Sequence, residues 1–317
     1  MLFTTYDKDT TMKQKTSPKH AFLLLLAAFV WGTTFVAQDT AADTIEPFTF
    51  LFSRSIIACF FLYIVMRIFD RKGIVTRKPS TPVEKKYLLT GGFLCGCVLC
   101  FASYMQQSGM AYTTAGKAGF ITALYIIFVP IAGIFFKKYP SPLLIVSVIL
   151  ATVGFYFLCL TESFSLSPGD ARVLICSFAF TGHILVIDHF SPKVDGIRLS
   201  LLQFMVVSLL SFILMLLFEH PDPALILRCS FPIFYAGIMS SGIGYTCQIL
   251  GQEKVNPTIA CLLMSLESVF SVLSSWLILG ENMSGREVLG CILVFAGVIL
   301  AQLPFPGKSG NIDQSEA

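Results

Sequence analysis

Ten apolar stretches follow one another along the 317 residues of this chain and leave it few folds to adopt. Each is close to the ~20 residues that an α-helix needs to cross the hydrocarbon core of a membrane. A bilayer offers no water to backbone N–H and C=O groups, so such a segment spans it as a helix. The sequence therefore predicts an all-α membrane protein with ten transmembrane helices. The stretches cover about residues 20–37, 47–69, 87–112, 114–136, 143–160, 169–190, 197–218, 231–251, 257–279 and 287–303.

The chain contains few charges, and most of them lie between the apolar stretches. Charged residues make up 13% of the chain and hydrophobic residues 55%, whereas soluble domains carry about 25% charged residues. The connections are too short to hold a soluble domain, so any function has to reside in the helical bundle. The sequence contains no nucleotide-binding motif, and we predict neither ATP nor a nucleic acid as a partner.

The ten cysteines fall almost entirely inside the apolar stretches. Cys95, Cys97 and Cys100 form the one group whose spacing suggests a metal site, and no histidine or further cysteine cluster completes it. Buried free thiols behave as small apolar side chains. We therefore predict that the cysteines serve in packing, and that the protein holds no metal ion and no cofactor.

Several stretches begin with a residue that caps a helix, and proline often follows it. A Ser, Thr or Asn before the first turn accepts a hydrogen bond from a backbone N–H, and proline fits the first turn because it lacks one. A Glu three residues after the cap completes a reciprocal pair of hydrogen bonds. These signals predict helix starts at Ser17-Pro18, Thr81-Pro82 with Glu84, Ser141-Pro142, Ser167-Pro168, Asn256-Pro257 and Ser284 with Glu287.

Lysine and arginine are concentrated on alternate sides of the ten stretches. With the amino terminus in the cytoplasm, seventeen of them fall in inner segments, and only Arg172, Arg228 and Arg286 fall in outer ones. Cytoplasmic loops of membrane proteins carry an excess of basic residues. We therefore predict a protein of the cytoplasmic membrane with both termini inside, and cytoplasmic tails at 1–17 and 304–317.

The two halves of the chain resemble each other at a fixed spacing. A shift of 142 positions superposes Gln106 on Gln248, together with glycine, alanine, leucine and phenylalanine pairs. Each half holds five stretches, an odd number, so the second half must be inverted in the membrane relative to the first. We predict two inverted five-helix repeats, at 18–160 and 167–303, with a ligand site near the midplane between them.

Three segments carry a further signal: Trp31 to Phe35 in the first stretch, Thr113 to Thr122 at the fourth, and Leu266 to Phe270 with Gly280-Glu281 in the ninth. Their order and the ten stretches resemble the drug/metabolite transporter superfamily, in its ten-span EamA-type branch. The resemblance covers about residues 18–303. It implies paired EamA repeats, a central cavity, and export of metabolites or amphipathic compounds by alternating access. Ser268 stands where the family often has proline, which puts in doubt any kink expected there.

Glu267 places a carboxylate in the middle of the ninth stretch. At helical rise it lies about 15 Å from Pro257, halfway through a hydrocarbon core about 30 Å thick. A carboxylate at that depth is costly unless it faces a bundle interior or a water-filled cavity, and such groups mark transport pathways. We predict that Glu267 binds substrate or couples transport to protons. The alternative is a protonated glutamate that hydrogen-bonds to a neighbouring helix as part of the structure.

Two basic residues lie inside apolar stretches. Lys117 lies about one turn inside the outer end of the fourth stretch. It either contacts the substrate or extends its ammonium group to the membrane interface. Arg54 lies about two turns inside the outer end of the second stretch. We interpret Arg54 as a structural anchor, paired with Glu46 or Asp43.

Uncharged polar and aromatic residues complete the predicted site. Amide side chains can join helices or give hydrogen bonds to a polar ligand, and a tryptophan can form an apolar wall or an interface anchor. His183 and Asp188 have a spacing also seen in acyltransferases, but a five-residue step places them on different helix faces, so we predict at most a cavity-lining role for the histidine. These candidates are Gln106, Gln248, Tyr104, Tyr245, Trp31 and His183.

Taken together, the sequence predicts a secondary transporter. It would export a small metabolite, an amino acid or an amphipathic compound, with a small-molecule substrate and the lipid bilayer as partners and protons as the candidate coupling ion. The alternative function is that of a passive facilitator or channel. A membrane-embedded enzyme is disfavoured, because the chain contains neither H-E-x-x-H nor G-x-S-x-G. The sequence leaves a homodimer open.

Overall fold

Helices make up nearly all of the described chain. The computed structural model describes residues 17–42, 44–74, 78–113, 115–135, 139–159, 167–274, 276–277 and 284–303. Within these ranges no β-strand occurs, and eight helical stretches are long and apolar enough to cross a membrane. The chain is thus an all-α, multi-pass membrane protein, as the sequence predicts.

The helices follow one another with short connections. In chain order they are α1 (Pro18–Ala42), α2 (Pro47–Lys72), α3 (Pro82–Met110), α4 (Ala115–Ala123), α5 (Tyr125–Phe135), α6 (Pro142–Cys159), α7 (Pro168–Phe190), a 3₁₀ turn (Ser191–Lys193), α8 (Gly196–Phe218), α9 (Pro223–Arg228), α10 (Ser230–Tyr235), a π-helix (Ala236–Gly244), α11 (Tyr245–Gln252), α12 (Pro257–Met264), α13 (Leu266–Ser274) and α14 (Gly285–Gln302).

Helix is found in all ten predicted stretches, but two of them are not clear membrane spans. The fifth stretch corresponds to α6, whose apolar part, Pro142–Leu158, is shorter than the others. The eighth is divided among α10, the π-helix and α11. The described residues therefore give eight candidate spans, and the ten crossings stay a prediction.

The predicted helix starts at Thr81, Ser167, Asn256 and Ser284 are confirmed. Each of these side chains accepts a hydrogen bond from a backbone N–H in the first turn that follows it. At Ser167 the reciprocal partner is Asp170, because an aspartate three residues after the cap can reach back as a glutamate does. The first N–H groups of a helix have no partner within it, so these caps fix where the helices begin.

Glycines allow the helices to approach each other closely. The helices α6 and α14 pack against each other, and Gly154 lies against Gly290 at their contact. A Cβ added to Gly154 would lie 2.7 Å from the backbone nitrogen of Val294. Small residues at such contacts let the backbones of membrane helices meet. In the same way, Gly32 of α1 lies against the backbone of Glu267, which holds α13 in place.

An aromatic contact between the two halves of the chain occurs twice, with the roles of the halves exchanged. Phe29 of α1 packs edge-on against Phe270 of α13, and Phe178 of α7 stacks on Phe128 of α5. Phe178 follows Phe29 by 149 positions, and Phe270 follows Phe128 by 142. The helix α1 thus contacts the second half of the chain as α7 contacts the first.

Glycine contacts repeat the same pattern. A Cβ added to Gly109 of α3 would lie 3.0 Å from the carbonyl oxygen of Gly169 in α7. A Cβ added to Gly251 of α11 would lie 3.0 Å from the carbonyl oxygen of His20 in α1. The two glycines are again 142 positions apart, and their partners are 149 apart.

The helices α2 and α8 are tied together at both ends by carboxylates. At one end Glu219 accepts hydrogen bonds from the backbone N–H groups of Phe48 and Thr49, each at 2.7 Å. At the other end Asp70 accepts two hydrogen bonds from Arg198, at 2.7 and 2.8 Å. Glu219 follows Asp70, and Arg198 follows Thr49, by 149 positions. Residues at equivalent positions of the two halves therefore join α2 and α8 at both ends. The contact is made through backbone amides at one end and through an ion pair at the other.

The π-helix Ala236–Gly244 accommodates one residue that the first half lacks. Gly237 packs on the backbone carbonyl of Arg54 in the way that Gly96 packs on that of Gln203. These two glycines are 141 positions apart. Equivalent residues after the π-helix, such as Gln106 and Gln248, are 142 positions apart. Hydrogen bonds from residue i to i+5 give a wider turn than those of an α-helix, so the extra residue fits without breaking the helix.

A substitution at the α6–α14 contact tests this packing. Gly154→Ala should lower the melting temperature of the purified protein, by the equivalent of about 1–3 kcal/mol, because the added methyl group meets backbone atoms. Gly182→Ala is the matched control, since its Cβ would meet only Val98, at 3.8 Å. The control should melt at or above the parent temperature, because alanine favours helix over glycine by about 1 kcal/mol. Equal melting temperatures of the two variants in detergent would contradict the packing.

Candidate functional site

A narrow cavity lies between the two halves of the bundle. Residues from both halves line it, and its volume is about 40 Å³. This space holds a few water molecules, since one needs roughly 10–15 Å³, whereas sites for small molecules measure about 300–1,000 Å³. A small organic molecule therefore fits only if helices or side chains move. The polar lining includes Gln38, Arg54, Gln106, Thr122, Gln248 and Glu267.

Glu267 is the carboxylate of this cavity. It stands at the start of α13, directly after the helical break at Ser265. Glu267 is 6% exposed, and the Tyr125 hydroxyl donates a hydrogen bond to its Oε1 at 3.5 Å, the long limit for such a bond. Tyr125 precedes Glu267 by 142 positions. Residues at equivalent positions of the two halves thus meet at the site.

Arg54 brings a buried positive charge to the same cavity. The predicted pairing of Arg54 with Glu46 is wrong, whereas its predicted role as a structural anchor stays a prediction. Its Nη1 donates a hydrogen bond to the Gln38 side chain at 3.2 Å, and Glu46 accepts a hydrogen bond from the backbone of His220. The other suggested partner, Asp43, lies outside the described residues. The sequence predicts how deep Arg54 lies in the membrane. It does not show which residues of other helices face the Arg54 side chain.

The surroundings of the Arg54 guanidinium leave part of its charge unmatched. Its carbon lies 5.4 Å from the centre of the Phe50 ring, and its Nε has no hydrogen-bond partner. Among the residues whose side chains are described, no carboxylate forms an ion pair with it. Because an arginine stays protonated, the guanidinium presents a fixed positive charge to the cavity.

The two glutamines related by the 142-residue spacing both line the cavity and are buried. Gln106 donates a hydrogen bond from Nε2 to the Thr122 hydroxyl at 3.3 Å. In contrast, Oε1 of Gln248 accepts no hydrogen bond. An unsatisfied buried polar atom costs about 1–3 kcal/mol. Gln248 therefore offers a free acceptor to a water molecule or a bound solute.

Trp31 and Tyr245 form an aromatic wall of the cavity, with ring centres 4.9 Å apart. The indole nitrogen of Trp31 donates a hydrogen bond to the carbonyl of Ser240 at 3.4 Å. The same carbonyl accepts the backbone N–H of Tyr245, five residues later. The π-helix thus orients Tyr245 and holds Trp31 against it.

Two of the predicted site residues do not line the cavity, and a third has a side chain outside the described part of the chain. Tyr104 stacks on Phe48, with ring centres 4.1 Å apart. His183 is fully buried behind the wall, and its Nε2 shares a hydrogen bond with the Gln203 side chain at 3.2 Å. Lys117 belongs to α4 but lies outside the residues whose side chains are described.

The donor set of the cavity suits an organic solute. Over the described ranges, no group of three or more His, Cys, Asp or Glu side chains is placed to hold a metal ion. The site instead offers one guanidinium, one carboxylate, amides and hydroxyl groups beside aromatic rings. These groups bind polar and charged organic molecules through hydrogen bonds and charge.

Comparison with known proteins identifies the family. The model of the EamA-like transporter family matches residues 18–160 and, a second time, residues 167–303. The chain belongs to the EamA-like transporter family. This confirms the resemblance seen in the three sequence segments. The EamA unit occurs twice in the chain, and the cavity lies between its two copies.

Individual relatives agree with this assignment. The chain is 28% identical to an uncharacterized transporter of Archaeoglobus fulgidus. The alignment covers 88% of the chain and 84% of the relative. The chain is also 24% identical, over 90% of its length and 94% of the relative, to an uncharacterized transporter of Buchnera aphidicola subsp. Schlechtendalia chinensis. A solved crystal structure covers 90% of the chain, with a TM-score of 0.72 and 17% identity, and so shares the fold. The protein is a multi-pass membrane transporter of the EamA family.

A pair of glutamine variants tests the hydrogen bonding of the cavity. Gln248→Met removes an unsatisfied acceptor, so the melting temperature without added solute should stay the same or rise. Gln106→Met loses the bond to Thr122 and should lower the stability by about 1 kcal/mol. The measurement is thermal unfolding of both variants in detergent. A Gln248→Met protein that melts below Gln106→Met would contradict the unpaired state of the Gln248 oxygen.

Proposed function

We propose that the protein is a secondary transporter of the cytoplasmic membrane. It exports a small metabolite, an amino acid or an amphipathic compound by alternating access. The observation that carries this proposal is the polar cavity between the two EamA units, in which Glu267 and Arg54 are buried without an ion pair among the described residues. Ionisable groups inside a membrane protein are costly and mark substrate or ion pathways.

The two EamA units are proposed to be inverted five-helix repeats that together cross the membrane ten times. The contacts exchanged between α1 and α7 support this arrangement, because a two-fold axis would produce each contact twice. The contact of Tyr125 with Glu267 supports an axis close to the cavity, since equivalent residues of two repeats can touch only near it. Substrate sites of secondary transporters with inverted repeats lie at such an interface.

Five of the sequence-predicted residues are proposed as substrate contacts because they line the cavity. His183 and Tyr104 are proposed to act from behind, by supporting Tyr245 and the start of α2. Lys117 is kept as a proposed contact at the start of α4. The five lining residues are Glu267, Gln106, Gln248, Tyr245 and Trp31.

Glu267 is further proposed to couple export to protons. In a cavity that opens alternately to two sides, a carboxylate can take a proton from one face and release it to the other. The absence of a nucleotide-binding motif from the sequence fits such an ion-driven mechanism. A passive facilitator would use the same cavity without coupling, so accumulation of solute against its gradient separates the two functions.

The carboxylate of Glu267 is tested by Glu267→Gln, which keeps the volume but cannot ionise. A solute that cells overproducing the parent release in excess would serve as the transport probe in proteoliposomes. We expect the variant to fold normally, to lose transport by at least tenfold, and to lose its dependence on pH. Glu253→Gln, at the half-exposed connection after α11, is the control and should transport like the parent. Parent-like rate and pH profile in Glu267→Gln would leave the carboxylate a structural role only.

The proposed orientation is tested by labelling single cysteines in a cysteine-free background. Residues near Asp39 should react with an impermeant thiol reagent added to intact cells. Residues near Gly73 or Lys193 should react only after the membrane is opened, because these connections carry the cytoplasmic excess of basic residues. Labelling at Gly73 in intact cells would reverse the topology.

A further inference from the structure

Another cavity lies beside the starts of α3 and α8, at the cytoplasmic end of the bundle in the proposed topology. Its volume is about 230 Å³, against about 40 Å³ for the cavity between the two halves, and the two linings have no residue in common. It is therefore a separate site from the one considered for transport. Its lining combines lysines, carboxylates and apolar side chains. They include Lys78, Glu84, Leu88, Lys193, Val194 and Asp195.

The two lysines of this cavity come from different connections of the chain. Lys78 precedes α3, and Lys193 ends the 3₁₀ turn before α8. The Lys193 ammonium lies 3.0 Å from Nε2 of His189 and 5.6 Å from the centre of the Tyr87 ring. The Lys78 ammonium lies 3.6 Å from Oδ1 of Asp70, and its side chain is 58% exposed. Because an ammonium group has three N–H donors, both lysines keep donors for a further acceptor.

The carboxylates at this cavity are engaged by other groups. Glu84 accepts hydrogen bonds from two backbone N–H groups before α3, at 2.7 and 3.2 Å. Asp195 accepts the backbone N–H of Arg198 at 2.9 Å and lies 3.4 Å from its guanidinium. Asp70, beside Lys78, accepts two hydrogen bonds from the same guanidinium. The helix starts and Arg198 thus occupy the carboxylates, and the two lysines remain as the groups that can bind an anion.

The surroundings of the cavity are positively charged as a whole. Among the described side chains of residues 70–86 and 188–198, seven are lysine or arginine and four are aspartate or glutamate. The starts of α3 and α8 add the partial positive charge of their helix dipoles. Such a surface attracts anions and repels cations, including those at the membrane surface.

Apolar surface continues from this cavity into the membrane. The apolar side chains Leu88 and Val194 belong to the lining itself. The helices α3 and α8 both begin at the cavity and carry exposed apolar side chains farther along their length. These include Leu89 and Phe93 of α3 and Met205 and Leu209 of α8. A molecule with an anionic group and long apolar chains contacts both regions, whereas a soluble anion contacts only the first.

We propose that this cavity binds the phosphate headgroup of an anionic phospholipid in the cytoplasmic leaflet. The phosphate oxygens accept hydrogen bonds from Lys78 and Lys193, and the acyl chains lie along α3 and α8. Basic pockets between transmembrane helices on the cytoplasmic side bind such headgroups. The volume suits a headgroup, since sites that enclose a whole small molecule measure about 300–1,000 Å³. Only the choice of leaflet rests on the orientation proposed above.

The test measures lipid binding to the full chain in detergent by native mass spectrometry. Phosphatidylglycerol is compared with phosphatidylcholine of the same acyl chains, because both carry a phosphate and only the first has a net negative charge. The parent should bind phosphatidylglycerol at least tenfold more tightly, since two lysines face the headgroup. Equal affinities for the two lipids would overturn the proposal.

Variants locate the binding site. Lys78→Gln combined with Lys193→Gln should bind the two lipids with affinities that agree within about twofold, because the headgroup charge has lost its partners. Lys78→Arg with Lys193→Arg retains both charges and should keep the preference, which separates loss of charge from a folding defect. The matched control is Lys19→Gln with Lys254→Gln, which removes two exposed charges from the same membrane side outside the cavity. An equal loss of preference in this control would indicate general surface charge and would overturn the site.

A soluble phosphate identifies the molecule to which the bound group belongs. Glycerol 3-phosphate, which lacks acyl chains, is titrated onto the parent and followed by the melting temperature. It should bind at least a hundredfold more weakly than phosphatidylglycerol, because apolar chains supply most of the affinity of a lipid. Binding as tight as that of the lipid would overturn the lipid assignment. These measurements do not depend on transport, so this proposal and the proposed function can fail independently of each other.

Discussion

The burial of Glu267 and Arg54 inside a bundle of apolar helices is the interaction on which the rest of the structure depends. Neither charge can be taken from water without a penalty of several kcal/mol, so the helices around them must be held firmly by other contacts. The close approach of Gly32 to the backbone of Glu267 and the aromatic wall at Trp31 serve this purpose. Apolar packing elsewhere compensates for a polar centre that does not stabilise the fold by itself.

The sequence predicts those parts of the fold that depend on neighbours along the chain. Span positions follow from apolar length, and helix starts follow from caps such as Thr81. Glu267 is recognisable because a carboxylate in an apolar stretch needs no knowledge of the other helices. The position of Arg54 in the cavity and the burial of His183 could not be predicted in this way, because they depend on which faces of distant helices meet. The π-helix could not be predicted from the sequence, because its turns differ from α-helical turns by a single residue.

The contacts also divide the bundle into parts that are held together in different ways. The helices α6 and α14 join through direct backbone contact at Gly154. The pair α2–α8 is joined at its ends, through Glu219 at one side and through Asp70 and Arg198 at the other. The Asp70 and Arg198 side chains are 20% and 13% exposed, whereas Glu219 is 8% exposed, and salt screens exposed charges more than buried ones. The two ends of this pair therefore differ in how readily they can separate.

The extra residue in the π-helix has a consequence for the working cycle. In the proposed carrier, two identical inverted halves would give inward-open and outward-open forms that are related by the two-fold axis, and neither would be favoured. The wider turn at Ala236–Gly244 corresponds to an α-helical part of α3 in the first half, and it lies where Trp31 and Tyr245 meet. The two forms of the proposed carrier then differ in free energy even when empty. In the proposed carrier, the inserted amino acid is one of the differences between the halves that would favour one resting orientation.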